Sequence, residues 1–171
     1  MTPTILQRFD HWARDLLPVL LTLTLLILSM VPLPIAGYRM VAPAVVLMSV
    51  YHWTVYRPDL LPPIVVFSVG IVQDLLTGAP FGTGPLTLLL VHLVVSSQRR
   101  FLLGKTFPIV WWGFGLVATG TFVILWAAGS ALTGALLDLR AAAFKCLLTI
   151  AFYPLFAGLF FVVQRAFMSK A

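Results

Sequence analysis

The chain has 171 residues, of which 61% are hydrophobic and 9% charged, with a formal net charge of +6 and a mean hydropathy of +1.05. That balance excludes an ordinary soluble globular domain and defines an integral membrane protein. The basic excess does not indicate nucleic acid, because the Lys and Arg residues are scattered at the ends of apolar runs and build no continuous patch. The single cysteine, Cys146, excludes an internal disulfide and a multi-cysteine metal site, and it reads as a small buried hydrophobe.

The first stretch, 1–15, places Ile5, Leu6, Phe9, Trp12 and Ala13 at helical spacing opposite Gln7, Arg8, Asp10, His11, Arg14 and Asp15. This pattern predicts an amphipathic helix lying in the membrane interface, with Thr2 and Pro3 as N-cap and first helical position. No cleavage as a signal peptide is expected. A six-span membrane domain over 16–165 and a short cytoplasmic tail over 166–171 complete the expected organisation. The first span runs roughly from Leu16 to Ile35, about the 20 residues needed to cross ~30 Å of hydrocarbon. Gly37, Tyr38 and Arg39 form a tight connection, and Met40 to Tyr56 is the second span, closed by Tyr51, Trp53 and Tyr56 as interfacial aromatics with His52 among them.

Pro62 and Pro63 open a third span that ends near Gly78, and a short fourth follows from Pro85 to Ser97. Pro108 to Ala128 is the fifth, with Gly113, Gly115 and Gly120 suggesting close helix contact and Trp111, Trp112 and Trp126 reading as interface anchors. Ala141 to Gln164 is the sixth, interrupted by Pro154. An even number of spans puts both termini on one side. With the termini cytoplasmic, the inner segments hold Arg8, Arg14, Arg57, Arg99, Arg100, Lys105, Arg165 and Lys170, and the outer ones only Arg39, Arg140 and Lys145. The positive-inside rule selects that orientation.

The most informative stretch lies at the junction of the third and fourth spans. Asp74 is an acid in an apolar helix, where a carboxylate at the bilayer centre costs about 2.5–3.5 kcal/mol unless a partner or the bundle interior satisfies it. Gly70, Asp74 and Gly78 recur every four residues and share one helical face, so the glycines offer a close approach to another backbone. From Pro62, Asp74 lies about 12 residues or ~18 Å along, in the outer half of the bilayer. His92 reaches a similar level and Lys145 reaches inward from the sixth span, so these two are the candidate partners of the acid. A paired acid that locks three helices is the plainer reading; the sharper one is that Asp74 and the glycine face accept a partner's transmembrane helix. A proton relay through Asp74 and His92 fits less well, because the inner half offers chiefly His52.

No hydrolase, metalloprotease or phosphate-loop motif is present, and the three histidines lack metal-ligand spacing. The expectation is a protein that is not an enzyme and carries no cofactor.

Read as G-x-x-x-D-L-L-x-G-x-P-x-G-x-x-x-L, the stretch from Gly70 through Asp74, Gly78, Pro80 and Gly82 to Leu86 resembles the rod shape-determining protein MreD family. Length, six apolar spans and cytoplasmic basic ends agree with it. The resemblance implies a non-enzymatic scaffold in the bacterial inner membrane, part of the cell-wall elongation machinery that positions peptidoglycan synthesis. It implies MreC, a single-span periplasmic protein, as direct partner, and through it the actin-like MreB, the peptidoglycan transpeptidase and the SEDS-type glycosyltransferase. The implied fold is an all-α bundle similar to the vitamin-binding subunits of energy-coupling-factor transporters. Pro85, close after Gly82 and Gly84, departs from the family pattern and points to a stiffer start of the fourth span. The alternative is a small-molecule binding subunit of a transporter, for which the outer loops offer mainly Arg39, Thr83, Thr133, Asp138 and Arg140.

Overall fold

A computed structural model describes residues 5–29, 44–134 and 138–168, with side chains from residue 16 onward except those of 132, 167 and 168. Six α-helices and one short 3₁₀ turn make up the described residues: α1 (Ile5–Ser29), α2 (Val45–Tyr56), the turn Pro58–Leu60, α3 (Pro63–Thr77), α4 (Thr83–Leu102), α5 (Phe107–Thr133) and α6 (Leu139–Met168). The Gly37–Arg39 connection, the Thr2 cap, the chain end beyond 168 and the side chains of 5–15 lie outside the described residues.

Three boundaries differ from the sequence expectation. α1 is one continuous helix from Ile5 through Pro18, with no break between a first segment and the apolar run that follows. α4 begins two residues before Pro85 and runs on to Leu102, so the short fourth span is a helix of 20 residues. α6 passes through Pro154 without interruption. That last continuity has a local cause. A proline inside a helix lacks the N–H that should reach the carbonyl four residues back, and here the Ile150 carbonyl accepts instead from Trp111 Nε1 at 2.9 Å. Trp111, read from sequence as an interface anchor, thus ties α5 to α6.

α2 is the central element. All of its residues except Tyr56 are buried, as expected for a helix that is apolar all round. Some of its polar groups find partners on neighbouring helices: Ser49 Oγ lies 2.7 Å from Thr22 Oγ1 of α1, and Tyr51 donates to the Val110 carbonyl of α5 at 2.9 Å; the His52 ring nitrogens and Trp53 Nε1 are buried with no partner among the described residues. The Ala44 N–H at its start donates to Thr149 Oγ1 of α6 at 3.1 Å, and near its end the Val55 carbonyl accepts from Arg99 Nε at 3.1 Å. Helix termini leave such groups without intrahelical partners, so side chains of α4 and α6 close both ends of α2.

Around α2 the core is aromatic. Tyr153 stacks on Phe114 at 4.2 Å between centroids, and Tyr51 meets Phe114 edge-on at 5.1 Å; such pairs contribute about 0.5–1.5 kcal/mol each beyond simple burial. His52, expected at the interface, is 0% exposed and sits among Trp53, Tyr56, Phe160 and Phe161. The outward faces are apolar as well. Trp112 and Leu116 of α5 are each 78% exposed and Leu155 of α6 is 68% exposed, which water would penalise and lipid would not. Two helices are long and apolar enough to cross a bilayer, Phe107–Ala131 and Leu139–Ala166, and Leu16–Ser29 and Pro63–Thr77 are shorter apolar helices.

Candidate functional site: the α3–α4 elbow

The junction that stood out in the sequence joins the two helices that pack most extensively against each other among the described residues. α3 begins with Pro63 at its first position, where the missing N–H is no loss. It ends at Gly78, whose φ of 68° is left-handed and whose N–H donates to the Asp74 carbonyl at 3.0 Å. The chain turns through Ala79–Phe81, and Gly82, with φ of 98°, caps α4. Both positive-φ positions favour glycine because an L side chain clashes there.

Asp74 is 2% exposed, and its carboxylate reaches across the turn to the start of the next helix. Oδ2 accepts from the Gly82 N–H at 2.8 Å and Oδ1 from the Gly84 N–H at 2.9 Å. Thr83 Oγ1 adds a longer contact of 3.4 Å to Oδ1. The acid therefore caps α4 from the last turn of α3, satisfying orphan N–H groups where the helix dipole favours negative charge. The Pro80 carbonyl completes the turn, accepting from the Thr83 N–H at 3.2 Å and from Thr83 Oγ1 at 2.9 Å.

One turn below, the two backbones touch. A Cβ on Gly70 would stand 2.5 Å from the Pro85 nitrogen and 2.9 Å from the Gly84 carbonyl carbon, and one on Gly84 would stand 2.7 Å from the Gly70 carbonyl oxygen and overlap Asp74 Oδ1. No side chain fits between them. Pro85 is the third residue of α4, where an N–H has no intrahelical acceptor, so the ring stiffens the first turn without removing a helix bond.

The three residues of the expected face thus divide by role. Gly70 is required by proximity. Gly78 meets nothing within 4 Å and is required by its φ, so the uniform close-packing face expected from the spacing is not formed within the chain. Neither expected partner of Asp74 is its partner. His92 Nδ1 lies 3.0 Å from Thr54 Oγ1; since that hydroxyl gives its proton to the Val50 carbonyl at 2.7 Å, the ring donates and its tautomer is fixed. Lys145 borders the same cavity as Asp74, yet no ion pair joins the two among the described residues. The physical reason is supply: the turn's own N–H groups already satisfy the carboxylate. Spacing found Gly70, Asp74, Gly78 and Gly82 but understated Gly84, whose missing side chain matters as much as that of Gly70. A glycine two residues after the cap and directly before a proline was the available signal.

Among the described residues no group of three or more His, Cys, Asp or Glu side chains gathers to hold a metal. Two apolar helices long enough to cross a bilayer, an apolar outer surface and a turn closed by the Asp74 carboxylate fit a helical membrane protein organised around a rigid elbow. The chain belongs to the rod shape-determining protein MreD family, whose family model matches residues 12–163. No curated protein and no solved structure matches it. Membership makes it a rod-shape-determining membrane protein.

Proposed function

We propose that the chain is a six-span scaffold of the bacterial inner membrane, with both termini cytoplasmic, that binds MreC and so helps to position peptidoglycan synthesis in the elongation complex. Family membership supports this reading, and the observation that carries it is the elbow itself. Asp74, Gly70, Gly84 and Pro85 hold α3 against α4 through backbone contacts, and a pair fixed that way presents the outer faces of both helices in one geometry. Those faces are apolar and exposed, with Phe67, Leu75, Leu86 and Leu93 among them, so a single apolar helix such as the MreC span can lie along them in lipid. The bundle is similar in kind to the substrate-binding subunits of energy-coupling-factor transporters. In this reading the amphipathic stretch 1–15 lies in the membrane interface and 166–171 is a cytoplasmic tail.

The test is co-purification. Gly70→Leu drives a side chain into Pro85 and changes the splay of α3 and α4, and it is expected to abolish recovery of MreC from mild detergent and to round rod-shaped cells. Leu93→Ala, on the exposed face, weakens recovery without changing the thermal midpoint. Undiminished MreC recovery with both variants overturns the proposal.

A further inference from the structure

A cavity of about 440 Å³ opens at the same end of the bundle as the elbow, where α1 and α3 end and α2, α4 and α6 begin. That volume is within the usual range for a small-molecule site. Its apolar part is formed by Leu26, Leu47, Phe122 and Leu125. Its polar part is lopsided. Thr87 and Thr121 have given their hydroxyl protons to the carbonyls of Thr83 (2.6 Å) and Val117 (2.8 Å), so they present only acceptor lone pairs to the cavity. Gln73 Oε1 is buried with no partner, and the Asp74 carboxylate borders the cavity beside it. Against these acceptors stands one cation, Lys145, half-buried and without an ion pair among the described residues.

A buried acceptor without a donor and a half-buried ammonium without an ion pair are each unfavourable as they stand. One ligand chemistry answers both: an anionic group for Lys145 joined to a primary ammonium, rich in N–H donors, for Gln73 and the threonine oxygens. We propose that this cavity binds a zwitterion of the phosphoethanolamine type, with its apolar body against Leu26, Phe122 and Leu125. The same chemistry is carried by a bilayer lipid headgroup and by a free phosphoamine. The proposal is independent of the scaffold reading, since no part of it involves MreC.

Native mass spectrometry of the full chain released from neutral detergent tests it, with phosphatidylethanolamine, phosphatidylcholine and phosphatidylglycerol offered at equal concentration. The choline headgroup keeps both charges but has no N–H donor, and the glycerol headgroup has no cation. Phosphatidylethanolamine is expected to be retained one to one and at least about tenfold more tightly than either, a difference on the scale of one lost charge-assisted contact. Lys145→Gln should remove the preference, whereas Arg140→Gln, a cation on the exposed start of α6, should not. Gln73→Met serves the same purpose should Lys145→Gln fail to accumulate. Free O-phosphoethanolamine that displaces the lipid assigns the affinity to the headgroup and admits a soluble ligand; retention in its presence assigns the site to lipid. Equal retention of all three lipids, or a preference unchanged in both Lys145→Gln and Gln73→Met, overturns the proposal.

Discussion

Asp74 illustrates why the identity of a partner decides what a substitution does. A carboxylate paired with a lysine or histidine could be replaced together with its cation, but here the partners are the backbone N–H groups of Gly82 and Gly84, which no substitution other than proline removes. Asp74→Leu therefore leaves two donors without an acceptor, at about 1–3 kcal/mol for each one buried. Asp74→Asn keeps one acceptor oxygen and should lose about half as much. Asp74→Lys adds a cation facing donors at the positive end of α4 and should be the least stable. Thermal midpoints in detergent are expected to fall in the order Asn, Leu, Lys. A Leu variant as stable as the parent would show that the carboxylate does not cap α4. The two glycines of the expected stripe separate in the same assay. Gly70→Ala overlaps the Pro85 backbone and should destabilise by several kcal/mol on the order of an overpacked core site. Gly78→Ala meets open space and bears only the left-handed φ, about 1–2 kcal/mol.

At the scale of the element, hydropathy and proline placement made most helices legible: α3 begins at the proline pair and ends at the glycine that the sequence marked. What was not legible was how interior prolines are accommodated. Pro154 read as an interruption because the sequence does not say which side chain from another helix will take the freed carbonyl. Trp111 does so from 43 positions earlier in the chain, with its indole on Ile150. Similarly, His52 read as interfacial beside Tyr51, Trp53 and Tyr56, and only the packing of α6 places Phe160 and Phe161 over it. The Trp111 assignment makes a coupled prediction. Trp111→Phe should cost about 1 kcal/mol by leaving the Ile150 carbonyl unpaired. In a Pro154→Ala background the helix supplies its own N–H, and the same substitution should be close to neutral. A double-mutant cycle on thermal stability measures the difference, and additive effects would mean that the tryptophan does not stand in for the missing helix bond.

For the whole molecule, the family was legible in the one stretch from Gly70 to Leu86, and the pairing of α3 with α4 followed from it. The Asp74 partners were not, because a carboxylate that bonds backbone leaves no complementary residue for a reader of side chains to find. Orientation in the membrane rests on charge. The ends where α2 and α4 stop and α3 and α5 start carry Arg57, Arg99, Arg100 and Lys105, while the opposite end has Arg140 and Lys145 among its described residues. In the proposed topology the first end is the inner one, in keeping with the cytoplasmic retention of Lys and Arg in short loops. Arg99 reinforces it structurally, since its guanidinium holds the Val55 carbonyl at the end of α2. With Cys146, which is buried against Thr119 at 3.8 Å, replaced by serine, Leu103→Cys should react with a membrane-impermeant maleimide only after the membrane is opened. Thr133→Cys, at the far end of α5, should react in intact spheroplasts. Both positions are exposed, so failure to label reports sidedness rather than burial, and an inverted pattern would place the termini outside and overturn the proposed topology.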